Sequence, residues 1–228
     1  MDFPTELKVF TPSASDQVVG VLRTLILKGE VEPGMQLREV VLSESFDVSR
    51  NTIREAIRQL VHEGLLRHDR HRSAVVVKLD DDDVADLYAA RRVLEISAAD
   101  RVRSAGRETL EAVQAAFARL EASVASGEWS EVVAADVAFH KSVVGLHGSP
   151  RLQKCFETIE SELAYFLSLI RLAEKEEEEP ERILAEHDVI LQAVLVADAA
   201  WASTAVAAHL TYYEERAHAV LRDRSATG

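Results

Sequence analysis

The stretch from Phe46 to Leu66, FDVSRNTIREAIRQLVHEGLL, constrains the fold more tightly than any other part of the chain. Ser49 is placed to cap a helix, because its hydroxyl can accept a hydrogen bond from an amide of the first turn. Apolar residues then recur at helical spacing and form one face, made by Ile53, Ile57, Leu60 and Val61. Gly64 can end the helix in a left-handed conformation. The sequence therefore predicts a short turn, an amphipathic helix and a stop.

Three arginines occupy the opposite face of this predicted helix. Arg50, Arg54 and Arg58 follow one another at intervals of four residues, so their guanidinium groups form one cationic stripe along the helix. Such a stripe has two explanations, which are contact with the phosphate groups of a nucleic acid and simple exposure to solvent. The helix alone leaves both open.

The formal net charge of −13 argues against a nucleic-acid-binding protein until the charge is divided along the chain. Residues 1–79 contain 11 Lys+Arg and 11 Asp+Glu, whereas residues 80–228 contain 15 and 28 and carry the whole −13. Residues 50–72 hold six Arg against three acidic residues, which is a local charge of +3. The positive field around the arginine stripe therefore permits DNA binding.

The segments around this helix follow the order of a winged helix-turn-helix. A first helix is predicted for Ser15–Lys28, a turn containing glycine and proline follows at 29–37, and a second helix covers 39–46. Asp47-Val48 supplies the tight turn before the arginine-bearing helix. After that helix, β-branched residues predict a two-stranded hairpin from Leu65 to Leu79 with a basic tip.

Four aspartates at residues 80–83 mark the predicted boundary between two domains, 1–79 and 80–228. Acidic side chains at the start of a helix suit the positive end of its dipole. Beyond the boundary the pattern predicts helices at about 82–104, 108–126, 129–147, 150–174, 181–197 and 199–222. The predicted fold class is therefore mainly α, with a winged helix-turn-helix followed by an all-α bundle of about six helices.

Composition and the first residues indicate a cytoplasmic location. One cysteine, Cys155, excludes an intramolecular disulfide and fits a reducing compartment. Residues 1–17 lack the apolar core of a secretory signal. The longest weakly charged run, 189–213, contains polar residues and many alanines, so it predicts a buried helix pair and no membrane span.

Four polar residues in the second predicted domain have the types and spacing of metal ligands. Asp136 and His140 are four residues apart on one helix face, and His187 and His209 are each flanked by apolar residues. Polar groups packed into a bundle need hydrogen-bond partners or a metal. Three imidazoles and a carboxylate suit zinc, nickel, manganese or iron. On spacing alone, histidines hydrogen-bonded within the core remain an alternative.

These motifs resemble those of a known family of regulators. Residues 15–79 resemble the DNA-binding domain of GntR-family transcription regulators, through the turn GxxxPGxxL, the helix VSRNTIREAIRQL and the following EGLL. Residues 80–228 resemble the FCD ligand-binding domain of the FadR subfamily, through LYAARRVLEISAA, DVAFH before GSPRL, EHDVILQAV and a histidine in the last helix. The resemblance implies a protein that binds operator DNA and a small effector.

The resemblance also implies roles for particular residues of the second domain. It implies a divalent transition metal, with zinc expected first, held by Asp136, His140, His187 and His209. In the family, the metal helps to hold a small carboxylate effector through its open coordination positions. A cationic side chain, either Arg91 or Arg92, would complete the effector site by pairing with the carboxylate.

The DNA contacts are predicted from both the helix and the wing. The predicted helix contacts are Arg50, Asn51, Thr52 and Arg54 at base edges and Arg58 at phosphate. The family commonly has proline just after the second residue of this helix, where this chain keeps the polar pair Asn51-Thr52. The predicted wing contacts are Arg70, His71 and Arg72. A homodimer is expected, because two half-sites multiply the affinity for DNA.

The expected function is that of a transcription repressor whose operator binding is controlled by a small organic acid. Two alternatives remain open at the level of sequence. The first is a metal sensor, in which the metal itself is the effector. The second is a metal-dependent enzyme fused to a helix-turn-helix. The sequence has no HExxH motif and no clearly placed general base, so we expect no catalytic residues.

Overall fold

The computed structural model of the chain describes residues 13–68, 73–174 and 180–226. The chain divides into two compact units, the first ending at Val77 and the second beginning at Lys78, with Leu27–Gly29 grouped with the second. Each unit has its own set of buried apolar side chains. The predicted fold class, a winged helix followed by an all-α domain, is confirmed.

Across its described residues, the first unit combines three helices with a small antiparallel sheet. Helices α1, α2 and α3 cover Ala14–Leu27, Glu39–Phe46 and Arg50–His62, and strands β1, β2 and β3 cover Gln36–Leu37, Leu66–His68 and Ala74–Val76. The strand order is β1-β3-β2, and Val75 of β3 lies opposite Gln36 on one side and Arg67 on the other. The predicted hairpin is present as β2 and β3. The prediction lacked the third strand, because β1 has only two residues and is too short to produce an alternating pattern.

Capping and burial explain why α3 forms where it does. Ser49 Oγ accepts a hydrogen bond from the Thr52 amide at 3.1 Å, and Gly64 after the helix has a φ of 74°, which favours glycine. Ile53 and Leu60 are both fully buried. Each such side chain stabilises the fold by about 1.5–3 kcal/mol, so the apolar face holds α3 in place and leaves its arginine face outward.

The second unit is all-helical across its described residues. Its α-helices are α4 (Asp81–Arg91), α5 (Ser97–Ala99), α6 (Arg107–Ser126), α7 (Trp129–Val144), α8 (Pro150–Glu157), α9 (Glu160–Glu174), α10 (Pro180–Leu195) and α11 (Ala199–Ala226). Helix α6 packs along α7, where the rings of Phe117 and Phe139 meet edge to face with centroids 6.2 Å apart. Among the described residues, no helix has both the length and the hydropathy needed to cross a membrane.

Two of the six predicted helices are interrupted. The predicted helix 82–104 contains a π-helical turn at Arg92–Ile96 between α4 and α5. The predicted helix 150–174 is divided after Glu157, where the Thr158 hydroxyl donates a hydrogen bond to the Cys155 carbonyl at 2.7 Å. Neither break contains glycine or proline, so the sequence has no marker for it.

Helix α4 begins at the four aspartates, as the sequence predicts. The Asp80 carboxylate accepts hydrogen bonds from the amides of Asp82 and Asp83, both at 3.0 Å. The Asp83 carboxylate in turn accepts a hydrogen bond from the Asp80 amide at 3.0 Å. This reciprocal capping box satisfies the exposed amides of the first turn.

Candidate metal centre

Four polar side chains come together inside the second unit. Helix α7 carries Asp136 and His140 one turn apart, α10 carries His187, and α11 carries His209. His140 and His187 are 0% exposed and His209 is 6% exposed. Asp136 keeps 13% of its side chain exposed. The cluster is therefore closed around the histidines and open on the Asp136 side.

The donor atoms of these side chains converge on one point. His187 Nε2 lies 2.9 Å from Asp136 Oδ1, and His140 Nε2 lies 3.8 Å from Asp136 Oδ2 and 3.1 Å from His209 Nε2. One ring nitrogen of each histidine lies within 4.8 Å of the corresponding atoms of the other two. Donors that each bind a common ion at about 2.0–2.1 Å are roughly 3.0–3.4 Å apart. The distances of 2.9 Å and 3.1 Å are close to this range, and the wider separations would have to shorten for all the donors to bind one ion.

Hydrogen bonds on the outer side of the cluster set the protonation of two rings. His140 Nδ1 donates to Glu95 Oε2 at 2.6 Å, and His187 Nδ1 donates to the Ile183 carbonyl at 2.8 Å. These bonds place a proton on Nδ1 of each ring and turn Nε2 towards the cluster. His187 Nε2 is buried without a hydrogen-bond partner among the described residues. Its short approach to Asp136 lacks hydrogen-bond geometry, which is the arrangement expected of two ligands to one ion.

His209 completes the cluster with the same orientation. Its Nδ1 faces Glu186 Oε2 at 3.8 Å, and its Nε2 faces His140 Nε2 at 3.1 Å. The distance to Glu186 is too long for a hydrogen bond, so His209 Nδ1 is buried without a hydrogen-bond partner among the described residues. His140 Nε2 can only accept, because its ring carries the proton on Nδ1, so His209 Nε2 donates the 3.1 Å hydrogen bond and would have to move that proton to Nδ1 to bind a metal. The donor set and its orientation therefore fit a bound divalent metal.

The ionisation states within the cluster also suit metal ligands. Burial opposes ionisation of Asp136, but His187 and His140 outweigh it and lower the pKa of its carboxyl to about 2. Burial lowers the pKa of His140 and lowers that of His209 well below its ordinary value. Burial also opposes the charged form of His187, but Asp136 outweighs it and raises the pKa of His187. Metal binding needs an anionic carboxylate and neutral imidazoles, so only His187 would release a proton.

A buried chain of charged groups supports His140 from outside the cluster. Arg91 is 1% and Glu95 0% exposed, and Arg91 Nε donates to Glu95 Oε1 at 2.7 Å. Burial opposes ionisation of Glu95, but Arg91 and His140 hold the pKa of its carboxyl below its ordinary value. A buried ion pair adds little net stability. Its main consequence here is a fixed orientation for His140.

The two neighbouring arginines have different surroundings. The Arg91 guanidinium lies 5.1 Å from the ring centroid of Tyr88, and its Nη2 is buried without a hydrogen-bond partner in the described structure. Arg92 pairs with Glu214 of α11, with Nη1 3.0 Å from Oε1. Arg91 therefore lies beside the histidine cluster with one guanidinium nitrogen that has no hydrogen-bond partner in the described structure. Arg92 instead forms an ion pair with Glu214.

A small pocket, partly open to solvent, adjoins Asp136. Its walls come from α7, α9, α10 and α11 and are otherwise formed by Trp129, Val132, Val133, Leu167, Ile170, Ile183 and Tyr213. The Arg171 guanidinium stacks over the Trp129 ring at 4.6 Å from its centroid. The pocket gives a small molecule access to the open side of the cluster.

Comparisons with known families agree with both units. Residues 86–212 match the FCD domain, and residues 14–77 match the gntR family of bacterial regulatory proteins. The chain belongs to the GntR family. It is a GntR-family transcriptional regulator with an FCD domain, and these two parts of the resemblance stated from the sequence are confirmed.

Relatives of this GntR-family protein include repressors of sugar-acid operons. The chain is 29% identical to the gluconate operon transcriptional repressor of Bacillus subtilis (strain 168), over 82% of this chain and 78% of the relative. It is 30% identical to the galactonate operon transcriptional repressor of Escherichia coli (strain K12), over 66% of this chain and 74% of the relative. These relatives are transcriptional regulators, which confirms the expectation that the chain is not an enzyme.

A solved structure has a similar fold over most of the chain. It is described as a GntR transcriptional regulator from Rhodococcus sp. RHA1, and it is 26% identical in sequence to this chain. The two structures superpose with a TM-score of 0.75, covering 89% of this chain and 96% of that one.

In this GntR-family regulator, the predicted DNA-contacting residues of α3 differ in whether their side chains already have hydrogen-bond partners within the chain. Arg50 and Asn51 at the start of the helix are exposed, and the Thr52 hydroxyl lies 2.9 Å from that of Ser49. The Arg50 side chain has no hydrogen bond or ion pair within the described part of the chain. Its guanidinium group is therefore available to a partner.

The other two arginines of the stripe are already engaged. Arg54 Nε donates to Glu39 Oε2 of α2 at 2.8 Å, and Arg58 Nε donates to the Arg54 carbonyl at 3.2 Å. Both side chains remain exposed. The predicted wing contacts, Arg70, His71 and Arg72, lie outside the described residues.

Sequence reasoning did not identify two carboxylates beside the cluster, nor the pocket. Glu95 holds His140, and Glu186 faces His209. The available signal for Glu95 is its four-residue spacing from Arg91, which is typical of a helical ion pair. The signal for Glu186 is its position next to His187 on α10. The pocket has no comparable signal, because its walls come from four separate helices.

Proposed function

We propose that this regulator is a dimeric repressor whose operator binding is controlled by a small carboxylate held at a metal in the second unit. The proposed ligands of the metal are Asp136, His140, His187 and His209. The observation that carries the proposal is the convergence of their donor atoms beside a pocket, with one histidine nitrogen buried and unpartnered. Zinc, nickel, manganese and iron all suit this donor set.

The proposed effector site combines the metal with a cationic side chain. A bound divalent metal supplies a Lewis-acidic position for a carboxylate oxygen. Arg91 is the better supported partner for the other oxygen, because its Nη2 is buried without a partner in the described structure. Arg92 is less suited to this role, since Glu214 already engages its guanidinium group.

The proposed output is a change in affinity for operator DNA. The proposed contacts of the helix are Arg50, Asn51, Thr52 and Arg54 at base edges and Arg58 at phosphate. The proposed contacts of the wing are Arg70, His71 and Arg72. Two relatives are operon repressors, which supports repression here. The effector must bind the DNA-competent and DNA-incompetent states with different affinities, because a ligand shifts an equilibrium only by that difference.

Thermal unfolding with defined metals and acids tests the effector site. Adding zinc to chelator-treated protein is expected to raise the midpoint, because the metal binds the folded state alone. Propionate is then expected to raise the midpoint further, by about 2–4 °C for each kcal/mol of binding free energy. Propionamide, which has the same size and no charge, should leave it unchanged. A propionate effect of equal size in chelator-treated protein would contradict the proposed site.

A further inference from the structure

The walls of the pocket beside Asp136 carry few groups that can hydrogen-bond to a ligand. Among the residues that line it, Asp136 has the one charge and Tyr213 the one hydroxyl. Val133, Ile170 and Ile183 are hydrocarbon side chains no more than 4% exposed. A ligand that extends from the cluster into this pocket therefore meets mainly apolar surface.

Trp129 at the far end and Arg171, which stacks on its ring, each carry a buried donor that can serve a hydroxyl oxygen but cannot accept the proton of a hydroxyl. Trp129 Nε1 and Arg171 Nη1 are buried without hydrogen-bond partners in the described structure. Both groups only donate hydrogen bonds. A polyhydroxy acid brings several O–H donors that each need an acceptor, and burying one without an acceptor weakens binding. An alkyl or aryl group has no such requirement.

The spacing along α7 sets the direction and length of the ligand. Trp129, Val132, Val133 and Asp136 follow at intervals of three and four residues, so they share one face of the helix. The seven residues from Asp136 to Trp129 correspond to about 10 Å along the helix. An apolar chain of about six carbons on a carboxylate anchored beside Asp136 would extend along this face towards Trp129.

We infer that the effector is a carboxylic acid with an apolar body, alkyl or aryl, and not a polyhydroxy acid. The inference rests on the proposed function, since it assumes that the carboxylate binds at the metal. It adds to the proposed function the chemical class of the part of the effector that lies beyond the carboxylate.

Calorimetric titration of the zinc-loaded full chain with acetate, hexanoate and gluconate tests the inference. Hexanoate and gluconate have the same number of carbons and the same charge, and they differ in the hydroxyl groups of gluconate. Hexanoate is expected to bind about tenfold more tightly than gluconate, because the hydroxyls of gluconate lack acceptors. It should also bind at least tenfold more tightly than acetate, because its four additional methylenes bury apolar surface.

A variant with one added hydroxyl gives a matched control. Val133→Thr is expected to narrow the preference for hexanoate over gluconate by about threefold to tenfold, because threonine supplies an acceptor in the pocket. Val143→Thr makes the same change at a buried position of α7 that does not line the pocket. It should leave the preference unchanged, with zinc content and thermal unfolding reporting the fold of both variants.

The outcomes separate the inference from the proposed function. Tighter binding of hexanoate supports both. Gluconate binding as tightly as hexanoate, or acetate binding as tightly as hexanoate, overturns the apolar class and leaves the proposed metal-bound carboxylate standing. Failure of all three acids to bind zinc-loaded protein overturns the proposed function and the inference with it.

Discussion

Replacing His187 with alanine is expected to reduce bound metal from one ion per chain to well below one. His187 Nε2 is buried without a hydrogen-bond partner among the described residues and lies 2.9 Å from Asp136 Oδ1. Loss of an outer-shell partner alone lowers metal affinity by about 10–100-fold, and removal of a direct ligand should cost at least as much. Elemental analysis of gel-filtered protein measures the metal content.

His147 provides the control for the His187 variant. It is also a histidine of the second unit, but its Nε2 lies beside the Leu94 carbonyl at 3.2 Å and the Ser97 hydroxyl at 3.1 Å. His147→Ala should therefore keep full metal content. Helical circular dichroism shows whether each variant folds, and a second variant, His209→Gln, tests another ligand. Full occupancy in both folded ligand variants would refute the assignment of the centre.

Replacing Arg50 with alanine is expected to weaken specific DNA binding by about 10- to 100-fold, because one bidentate arginine–base contact is worth about 1–3 kcal/mol. Arg50 is exposed at the start of α3, and its side chain has no partner within the described part of the chain. Fluorescence anisotropy with operator DNA selected from a random duplex pool measures the effect. If Arg50 contacts phosphate instead, the loss should be equal for all sequences and the salt dependence should fall by about one counterion.

Arg54→Ala should have a smaller effect than Arg50→Ala. Arg54 already pairs with Glu39, so a DNA contact must replace an interaction that the free protein has. Arg107→Ala removes the same charge from an exposed position on α6 and serves as the control. An unchanged footprint for the Arg50 variant, or an equal loss in the Arg107 variant, would contradict the assignment of α3 as the recognition helix.

The sequence predicts the parts of this fold that depend on local signals. Ser49, Gly64 and the aspartates at 80–83 act through hydrogen bonds and backbone angles within a few residues, and each lies where the pattern places it. The spacing of Asp136 and His140 likewise predicts that they share a helix face. Distances between helices cannot be predicted in this way, because they are set by the packing of side chains that are distant in the sequence.

The features that sequence reasoning missed are those with no local marker. The π-helical turn at Arg92–Ile96 changes which side chains face inward around it, so the sequence alone cannot choose between Arg91 and Arg92. The division after Glu157 occurs without glycine or proline. Strand β1 forms because β3 lies beside it, and its two residues carry no pattern of their own.

Control of operator binding by a metal-bound acid is tested by the dissociation constant of operator DNA, measured with and without metal and with and without the best-binding acid. The acid is expected to change this constant by roughly 5–150-fold in metal-loaded protein, the usual range of coupling between two sites. In chelator-treated protein the acid should have no effect, and metal alone should change the constant little. An equal effect of the acid without metal would contradict the account. A full effect of metal without acid would also contradict it and would identify a metal sensor.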